Sequence, residues 1–294
     1  MHNLGALEAV RNLAVRGTGK GDKKLMKIID AHIHFADHAH FNQLAREAGH
    51  DNSSESLKAD FDRLDIAGAV VMGIRDLSPE SHLYPGFMRY CVGLDSGNFV
   101  EEDAASVLRQ VELHLQRDAC AGLKLYPGYN SLYVHDPVYA SFFELAERYD
   151  KPVAIHTGEL AGNWGRVKYS HPLTVDEVAA DHPKTRFILC HLGNPWVMDA
   201  AVVIGKNPNV SADLSGFLRG KQDMGEYFTD NKSYLDYIKM SLRYMQAWDR
   251  LMYGTDWPLA NIENYIEFVA ELIPAKYQDM VFYENARRIY GVDF

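Results

Sequence analysis

The chain has 294 residues, of which 47% are hydrophobic and 24% are charged, so it can bury a sizeable core and lacks the composition of a disordered chain. Its net charge of -10 repels phosphate backbones, and no apolar run reaches the roughly 18 residues that span a bilayer. We therefore expect neither a nucleic-acid-binding protein nor a membrane protein, and a small molecule is the expected partner.

Residues 1–26 are predicted to be an N-terminal extension ahead of one folded domain of residues 27–294. Charges interrupt the apolar residues of this segment, which has no signal-peptide core and no small-residue cleavage site. Its end, residues 16–24, is rich in glycine and lysine but lacks the spacing of a phosphate-binding loop. Three cysteines are too few for a disulfide framework, so we expect a reducing compartment, the cytoplasm.

Eight short apolar runs follow in the rest of the chain. In chain order they are Lys27–His32, Ala69–Ile74, Tyr90–Leu94, Gly122–Tyr126, Pro152–His156, Arg186–His191, Asn209–Leu214 and Leu251–Asp256. Segments typical of helices lie between them and after them, at 54–67, 101–117, 195–206, 261–273 and 276–290. Strands that alternate with helices predict a parallel sheet, and eight such units match the size of a (β/α)8 TIM barrel. An open doubly wound sheet is the alternative, but no glycine-rich turn follows the first run.

Ionisable residues end several of these runs, where a buried strand should be apolar. They are His32 with the following His34, Lys124, His156, His191 and Asp256. The carboxyl ends of the strands of a TIM barrel meet on the face that carries the active site. His32 and His34 are two residues apart, so both side chains point the same way from an extended strand. Imidazoles and a carboxylate that converge there predict a site for a divalent metal ion.

The sequence around these residues resembles the amidohydrolase superfamily. Its HxH motif is matched by Asp30-Ala-His-Ile-His34, and its later motifs are similar to the surroundings of His156, His191 and Asp256. The closing segment 284–291 is similar to the amidohydrolase-related branch, which includes metal-dependent hydrolases and the aminocarboxymuconate-semialdehyde and resorcylate decarboxylases. The resemblance covers about residues 26–291 and implies a TIM barrel. The other histidines, His40 among them, are expected to be ordinary core or surface residues.

Residue by residue, the resemblance implies that His32, His34, His156 and Asp256 bind the metal, and that Asp256 and His191 are catalytic. We expect zinc, with manganese or another divalent ion as the alternative, and one ion rather than two. A second ion would use His191 as a ligand and a carboxylated Lys124 as a bridge, as in binuclear members. Otherwise Lys124 is interpreted as an anchor for a substrate carboxylate or as a structural lysine.

The implied site supports two reactions. Hydrolysis is our first interpretation: Asp256 takes a proton from the attacking water while His191 holds the substrate carbonyl oxygen. The alternative is a non-oxidative decarboxylase, in which Asp256 or His191 delivers a proton to the carbon that loses CO₂. A third interpretation is a barrel that has lost catalysis and only binds a ligand.

Side chains near the strand ends are expected to bind the substrate. The candidates are Lys124, Arg75, Tyr126, Trp164 and Trp257. Aromatic and basic groups together suit a small planar or carboxylated molecule, and ordinary loop packing is the alternative. The segment 216–234, which contains Arg219, is interpreted as a lid, an oligomer contact or a solvated loop. A homodimer is a further alternative that the sequence leaves open.

Overall fold

The computed structural model describes residues 26–74, 76–94 and 104–294. The predicted N-terminal extension up to residue 25 and the predicted pocket residue Arg75 lie outside the described residues. The strands are β1 (Ile28–Ile33), β2 (Ile66–Met72), β3 (Met88–Leu94), β4 (Cys120–Leu125), β5 (Val153–His156), β6 (Phe187–Cys190), β7 (Val210–Asp213) and β8 (Leu251–Met252). They pair in parallel in chain order, which confirms the predicted TIM-barrel architecture.

Hydrogen bonds between the end of β1 and the chain after β8 bring the two edges of the sheet together. The backbone N–H of His34 donates to the carbonyl of Trp257 at 2.6 Å, and that of Asp256 donates to the carbonyl of His32 at 2.9 Å. The chain after β8 is thereby fixed against β1. Two strand ends that are far apart in sequence are thus held side by side.

Helices follow the strands and cover the barrel. They are α1 (Ala39–Glu47), α2 (Ser54–Leu64), α3 (Ala104–Leu115), α4 (Ala140–Arg148), α5 (Thr174–Asp181), α6 (Val197–Lys206), α7 (Met224–Asp230), α8 (Lys232–Met245), α9 (Ile262–Leu272) and α10 (Asn285–Tyr290). A π-helical turn, Met280–Glu284, leads into α10. Among the helices of the described segments, none is long and apolar enough to cross a membrane.

Alternate strand residues contribute to two apolar clusters. In β6, Phe187 and Leu189 pack in the large cluster, which includes the buried apolar residues of α2 to α9, whereas Ile188 and Cys190 belong to a smaller cluster that α10 closes at one end. The smaller cluster therefore lies inside the barrel and the larger one between the strands and the helices. Side chains at the carboxyl ends of the strands complete the interior with polar groups.

Candidate metal centre

The carboxyl ends of four strands bring the predicted metal ligands together. His32 lies in β1 and His34 follows it, His156 ends β5, His191 follows β6, and Asp256 lies in the loop after β8. Asp256 Oδ1 is 3.4 Å from His32 Nε2 and 3.3 Å from His34 Nε2. His32, His191 and Asp256 each offer one ligand atom within 4.8 Å of the others, and His191 Nε2 is 3.2 Å from His156 Nδ1.

Hydrogen bonds on the far side of the β1 imidazoles set their tautomers. His32 Nδ1 donates to the Asp213 carboxylate at 2.9 Å, and His34 Nδ1 donates to the Met72 carbonyl at 3.3 Å. A carboxylate and a carbonyl only accept, so the proton of each neutral ring is on Nδ1. The Nε2 atoms of both rings therefore direct lone pairs at the Asp256 carboxylate.

The same reasoning applies to the other two imidazoles. His156 Nε2 donates to the Glu159 carbonyl at 3.1 Å, which leaves a lone pair on Nδ1. His191 Nδ1 is 2.8 Å from Ser215 Oγ, and that hydroxyl donates its proton to Asp213. Ser215 therefore accepts from His191, whose Nε2 keeps its lone pair. Two lone pairs thus face each other at 3.2 Å.

Burial keeps the rings of His32, His156 and His191 neutral. Burial lowers the pKa of His32, His156 and His191, in the last case to about 3. Burial alone would raise the pKa of Asp213, but its interaction with His32 holds that pKa below the ordinary range. The carboxylate is thus ionised, and each neutral ring has one N–H and one lone pair at pH 7.

The resulting set of acceptors fits a divalent cation. Four imidazole lone pairs and a carboxylate oxygen converge, and each ring N–H is used on the side away from the cluster. In the part of the chain that the structure describes, His32 Nε2 and Asp256 Oδ1 are buried polar atoms without a hydrogen-bond partner. One proton could satisfy only one pair of these atoms, whereas a bound cation could contact several of them at once. Imidazole and carboxylate ligands suit zinc or manganese.

Asp213 organises this centre, although the sequence analysis did not single it out. One of its oxygens accepts from His32 Nδ1, and the other accepts from the backbone N–H of His191 at 2.9 Å and of Ser215 at 3.2 Å. It ends β7, so the rule that identified the other strand-end residues would have found it. A carboxylate behind a metal-binding histidine fixes the ring orientation and tautomer.

Asp213→Asn is expected to weaken divalent metal binding by about 10- to 100-fold. The two backbone N–H groups require the amide oxygen, so the amide NH₂ would face His32 Nδ1 and move the ring proton to Nε2. That proton would then point into the acceptor cluster. Competition with a metal chelator measures the affinity, and Asp236→Asn, which removes an exposed carboxylate from α8, is the control. Unchanged affinity in Asp213→Asn would contradict the assigned tautomer.

Unusual backbone conformations position the site. His191 and Asp256 have φ values of 63° and 60°, in the left-handed region that is costly for residues other than glycine. Gly216 has a φ of 75°, and a Cβ atom there would lie 2.6 Å from His191 Nδ1. The loop after β7 therefore approaches His191 as closely as only glycine permits.

A cavity of about 310 Å³ adjoins the cluster, and His34, His156, His191 and Asp256 line part of it. Aromatic side chains line much of the rest, namely Phe41, Tyr126, Tyr129 and Trp164. Trp164 is 65% exposed, which places it at the mouth. Its ring centroid is 5.2 Å from that of Tyr129, and the rings of His34 and Phe41 stack at 5.7 Å. The cavity suits a planar ring next to a metal.

The structure brings some of the predicted pocket residues to this cavity and not others. Tyr126 and Trp164 line it. Lys124 and Trp257 are fully buried and are not among the described residues that line it. Lys124 Nζ donates to the Cys190 thiol at 2.7 Å and lies 5.1 Å from the Tyr126 ring centroid. Trp257 stacks on His50 and Phe35 instead, so its closeness to Asp256 in sequence does not place it in the cavity.

Several lining residues had no sequence signal of their own. Phe41 and His40 come from α1 and Arg219 from the loop after β7. His40 was expected to be an ordinary core or surface residue, and it lines the cavity. The segment 216–234 is not one long loop, since it contains α7 and the start of α8. Its first residues line the cavity, and its predicted action as a lid stays a prediction.

Comparison with known proteins identifies the family to which this chain is similar. The family model described as Amidohydrolase matches residues 90–292. A γ-resorcylate decarboxylase from Rhodococcus jostii is 24% identical over 171 residues, which are 48% of this chain and 50% of the relative. The match thus spans about half the length of that curated relative.

Solved structures share the fold. The 5-carboxyvanillate decarboxylase of Novosphingobium aromaticivorans, in complex with manganese and 4-hydroxy-3-methoxy-5-nitrobenzoic acid, has a TM-score of 0.59 at 13% identity, over 90% of this chain and 96% of that one. A probable 2-pyrone-4,6-dicarboxylic acid hydrolase of Acinetobacter baumannii has a TM-score of 0.62 at 15% identity, over 91% and 100%. At these identities the likeness establishes the barrel fold.

Proposed function

The chain belongs to the amidohydrolase family of metal-dependent enzymes, and on that premise we propose that it is a non-oxidative decarboxylase of a small hydroxylated aromatic carboxylate. The first interpretation from the sequence was a hydrolase, with decarboxylation as the alternative. The similarity to a γ-resorcylate decarboxylase supports the alternative. Its substrate class enters here as a proposal for this chain.

The observation that carries the proposal is the tautomer of His191. Hydrolysis, as first interpreted, needs His191 to donate a hydrogen bond to the oxygen on which negative charge develops. The N–H of its neutral ring is directed at Ser215, 2.8 Å away, and Nε2 offers a lone pair to the cavity. A lone pair repels an oxyanion but accepts a hydrogen bond from a phenol. The site therefore suits a hydroxylated substrate better than a polarised carbonyl.

The environment of Lys124 also supports a centre without a bridging ligand. Its ammonium group contacts the Cys190 thiol inside the barrel rather than the acceptor cluster. A binuclear hydrolase of the implied type would need this lysine between two metals. We therefore propose one ion, held by His32, His34, His156 and Asp256, which leaves the Nε2 lone pair of His191 for the substrate hydroxyl.

The cavity is sized for one ring. Its volume of about 310 Å³ is near the lower end of small-molecule pockets, about 300–1,000 Å³. Tyr126 and Tyr129 use their hydroxyl groups in bonds to the backbone, since Tyr126 donates to the Gly73 carbonyl and Tyr129 accepts from Ala161 N–H. Tyr126 thus offers mainly its ring face to a substrate, whereas Tyr129 offers its ring face and one O–H donor, which favours an aromatic substrate with polar substituents.

In the proposed mechanism Asp256 moves a proton between two atoms of the substrate. When bound, the metal ion would neutralise negative charge on the substrate oxygens. Asp256 takes the proton of the hydroxyl next to the carboxylate and returns it to the ring carbon that bears the carboxylate. The bond to the carboxyl carbon then breaks, its electron pair restores the aromatic ring, and CO₂ leaves. The product is released as a phenolate, which solvent protonates.

We expect the metal-loaded protein to release one CO₂ per phenol formed from 2,6-dihydroxybenzoate or a related hydroxybenzoate. In D₂O the product should carry one deuterium on the vacated carbon, as mass spectrometry would show. The dimethoxy analogue, which has no hydroxyl proton to transfer, is the matched control and should not react. Hydrolysis of esters, lactones or amides without CO₂ release from any carboxylate would refute the decarboxylase and restore the hydrolase.

A further inference from the structure

One cationic side chain reaches the cavity from the loop after β7. Arg219 is the sole lysine or arginine among the described residues that line it. The side chain is exposed, so it lies at the mouth, whereas Asp256 and His191 are buried at the inner end. Arg219 is neither a proposed metal ligand nor part of the proposed proton transfer.

The backbone at Arg219 is held in place. The N–H of the next residue, Gly220, donates to the Leu259 carbonyl at 2.7 Å, and the Gly220 carbonyl accepts from Asn261 N–H at 3.0 Å. The side chain of Gln222 donates to the Arg219 carbonyl at 2.6 Å. Arg219 is thus fixed to the loop that carries Asp256, and the guanidinium is displayed from a rigid base.

The guanidinium has no partner among the described residues. Other exposed arginines are paired: Arg63 contacts Asp60 and Glu263, and Arg287 contacts Asp293. Glu159 also lines the cavity, but no ion pair within 4.0 Å joins it to Arg219. Five N–H donors in a planar fork, directed at a ligand cavity and left unpaired, match a carboxylate.

The charges of Arg219 and Asp256 both influence Tyr129, a residue that lines the cavity. Burial raises the pKa of Tyr129, the Asp256 charge raises it further, and the Arg219 charge lowers it. The Tyr129 phenol is therefore within reach of both charges. All three residues line the same cavity, with Asp256 buried at its inner end and Arg219 exposed at its mouth.

We infer that Arg219 binds a second anionic substituent of the substrate, so that the preferred substrate class is an aromatic ring with one carboxylate at the metal centre and another acidic group at the mouth. The inference rests on the proposed function for the identity of the reacting group. The binding of the second group does not depend on turnover. It can therefore be measured separately.

Calorimetric titration of the metal-loaded protein with isophthalate, terephthalate and their monoamides tests the inference. Each monoamide keeps the shape of the diacid and removes one charge. For at least one isomer, the diacid should bind wild type about tenfold more tightly than its monoamide, as a charge-assisted bond predicts. In Arg219→Gln the two should bind within about twofold of each other.

Two variants separate a local contact from a general effect of charge. Lys221→Gln removes the same charge two residues away and should keep the preference for the diacid, because Lys221 packs against Gly49 and is not among the described cavity residues. Glu159→Gln removes a repulsive charge from the mouth and should strengthen diacid binding. No preference in wild type, a preference that survives in Arg219→Gln, or its loss in Lys221→Gln would overturn the inference.

The two proposals fail in different experiments. If no carboxylate releases CO₂ but Arg219 still selects diacids, the decarboxylase is wrong and the anion site stands. If CO₂ is released but Arg219→Gln binds diacids as wild type does, the anion site is wrong and the decarboxylase stands.

Discussion

Replacing Asp256 with asparagine is expected to lower kcat for CO₂ release by about 10³-fold. The amide has nearly the shape of the carboxylate but cannot take up a proton and return it to the ring carbon. Its Oδ1 position, 3.3 Å from His34 Nε2, can still be occupied by an oxygen. The rate should be measured at saturating metal, with metal content determined on the same sample, because Asp256 is also a proposed ligand.

Glu159→Gln is the matched control for this variant. It removes a carboxylate from the same cavity, but from an exposed position, and should change kcat by less than about tenfold. A fully active, metal-loaded Asp256→Asn would contradict Asp256 as the proton carrier. An inactive variant that regains full activity when more metal is added would leave Asp256 as a ligand only.

The strand order and number were readable from the sequence, and most strand ends were correct within three residues. The largest shift at the start of a strand is at β2, predicted from residue 69 and observed from Ile66. The preceding helix was expected to reach residue 67, but it ends at Leu64 because Asp65 adopts a left-handed conformation with a φ of 59°. A left-handed residue that is not glycine leaves no mark in an apolar pattern.

The end of β8 shows the same limit. The run was expected to extend to Asp256, whereas the strand pairs only over Leu251–Met252. Beyond it, the Asp30 carboxylate accepts hydrogen bonds from Thr255 N–H at 3.0 Å and from its hydroxyl at 2.6 Å. This contact between residues 225 positions apart turns the chain, so Asp256 faces the β1 histidines. Tertiary contacts of this kind override the local pattern.

The site residues divide in the same way. Those that end strands followed from periodicity and barrel geometry, and the structure brings the five proposed metal and catalytic side chains together. How deeply each side chain is buried could not be predicted from these patterns. Alternation placed Lys124 inside the barrel, but it could not show that Lys124 is buried against Cys190 rather than exposed to a substrate. The helix and loop residues of the cavity, Phe41 and Arg219, depend on how distant segments approach one another.

Replacing His32 with glutamine is expected to weaken divalent metal binding by more than about 100-fold. This loss should exceed that of Asp213→Asn, because His32 is a proposed ligand itself and Asp213 only supports one. His32 faces Asp256 on one side and Asp213 on the other, so no other side chain can take its place. Metal that binds only the folded chain raises its melting temperature. Metal addition should therefore stabilise wild type and leave His32→Gln unchanged, and thermal denaturation would measure both.

His114→Gln separates the loss of a ligand from the loss of a buried histidine. His114 is as buried as His32, but it lies in α3 and contacts Tyr90 and the Leu77 carbonyl, away from the acceptor cluster. This variant should be less stable than wild type and still gain stability from added metal. Equal stabilisation of His32→Gln and wild type by metal would show that the cation binds elsewhere. If metal stabilises wild type and His114→Gln but not His32→Gln, the cation binds at the lone pairs that converge at the ends of β1, β5, β6 and β8.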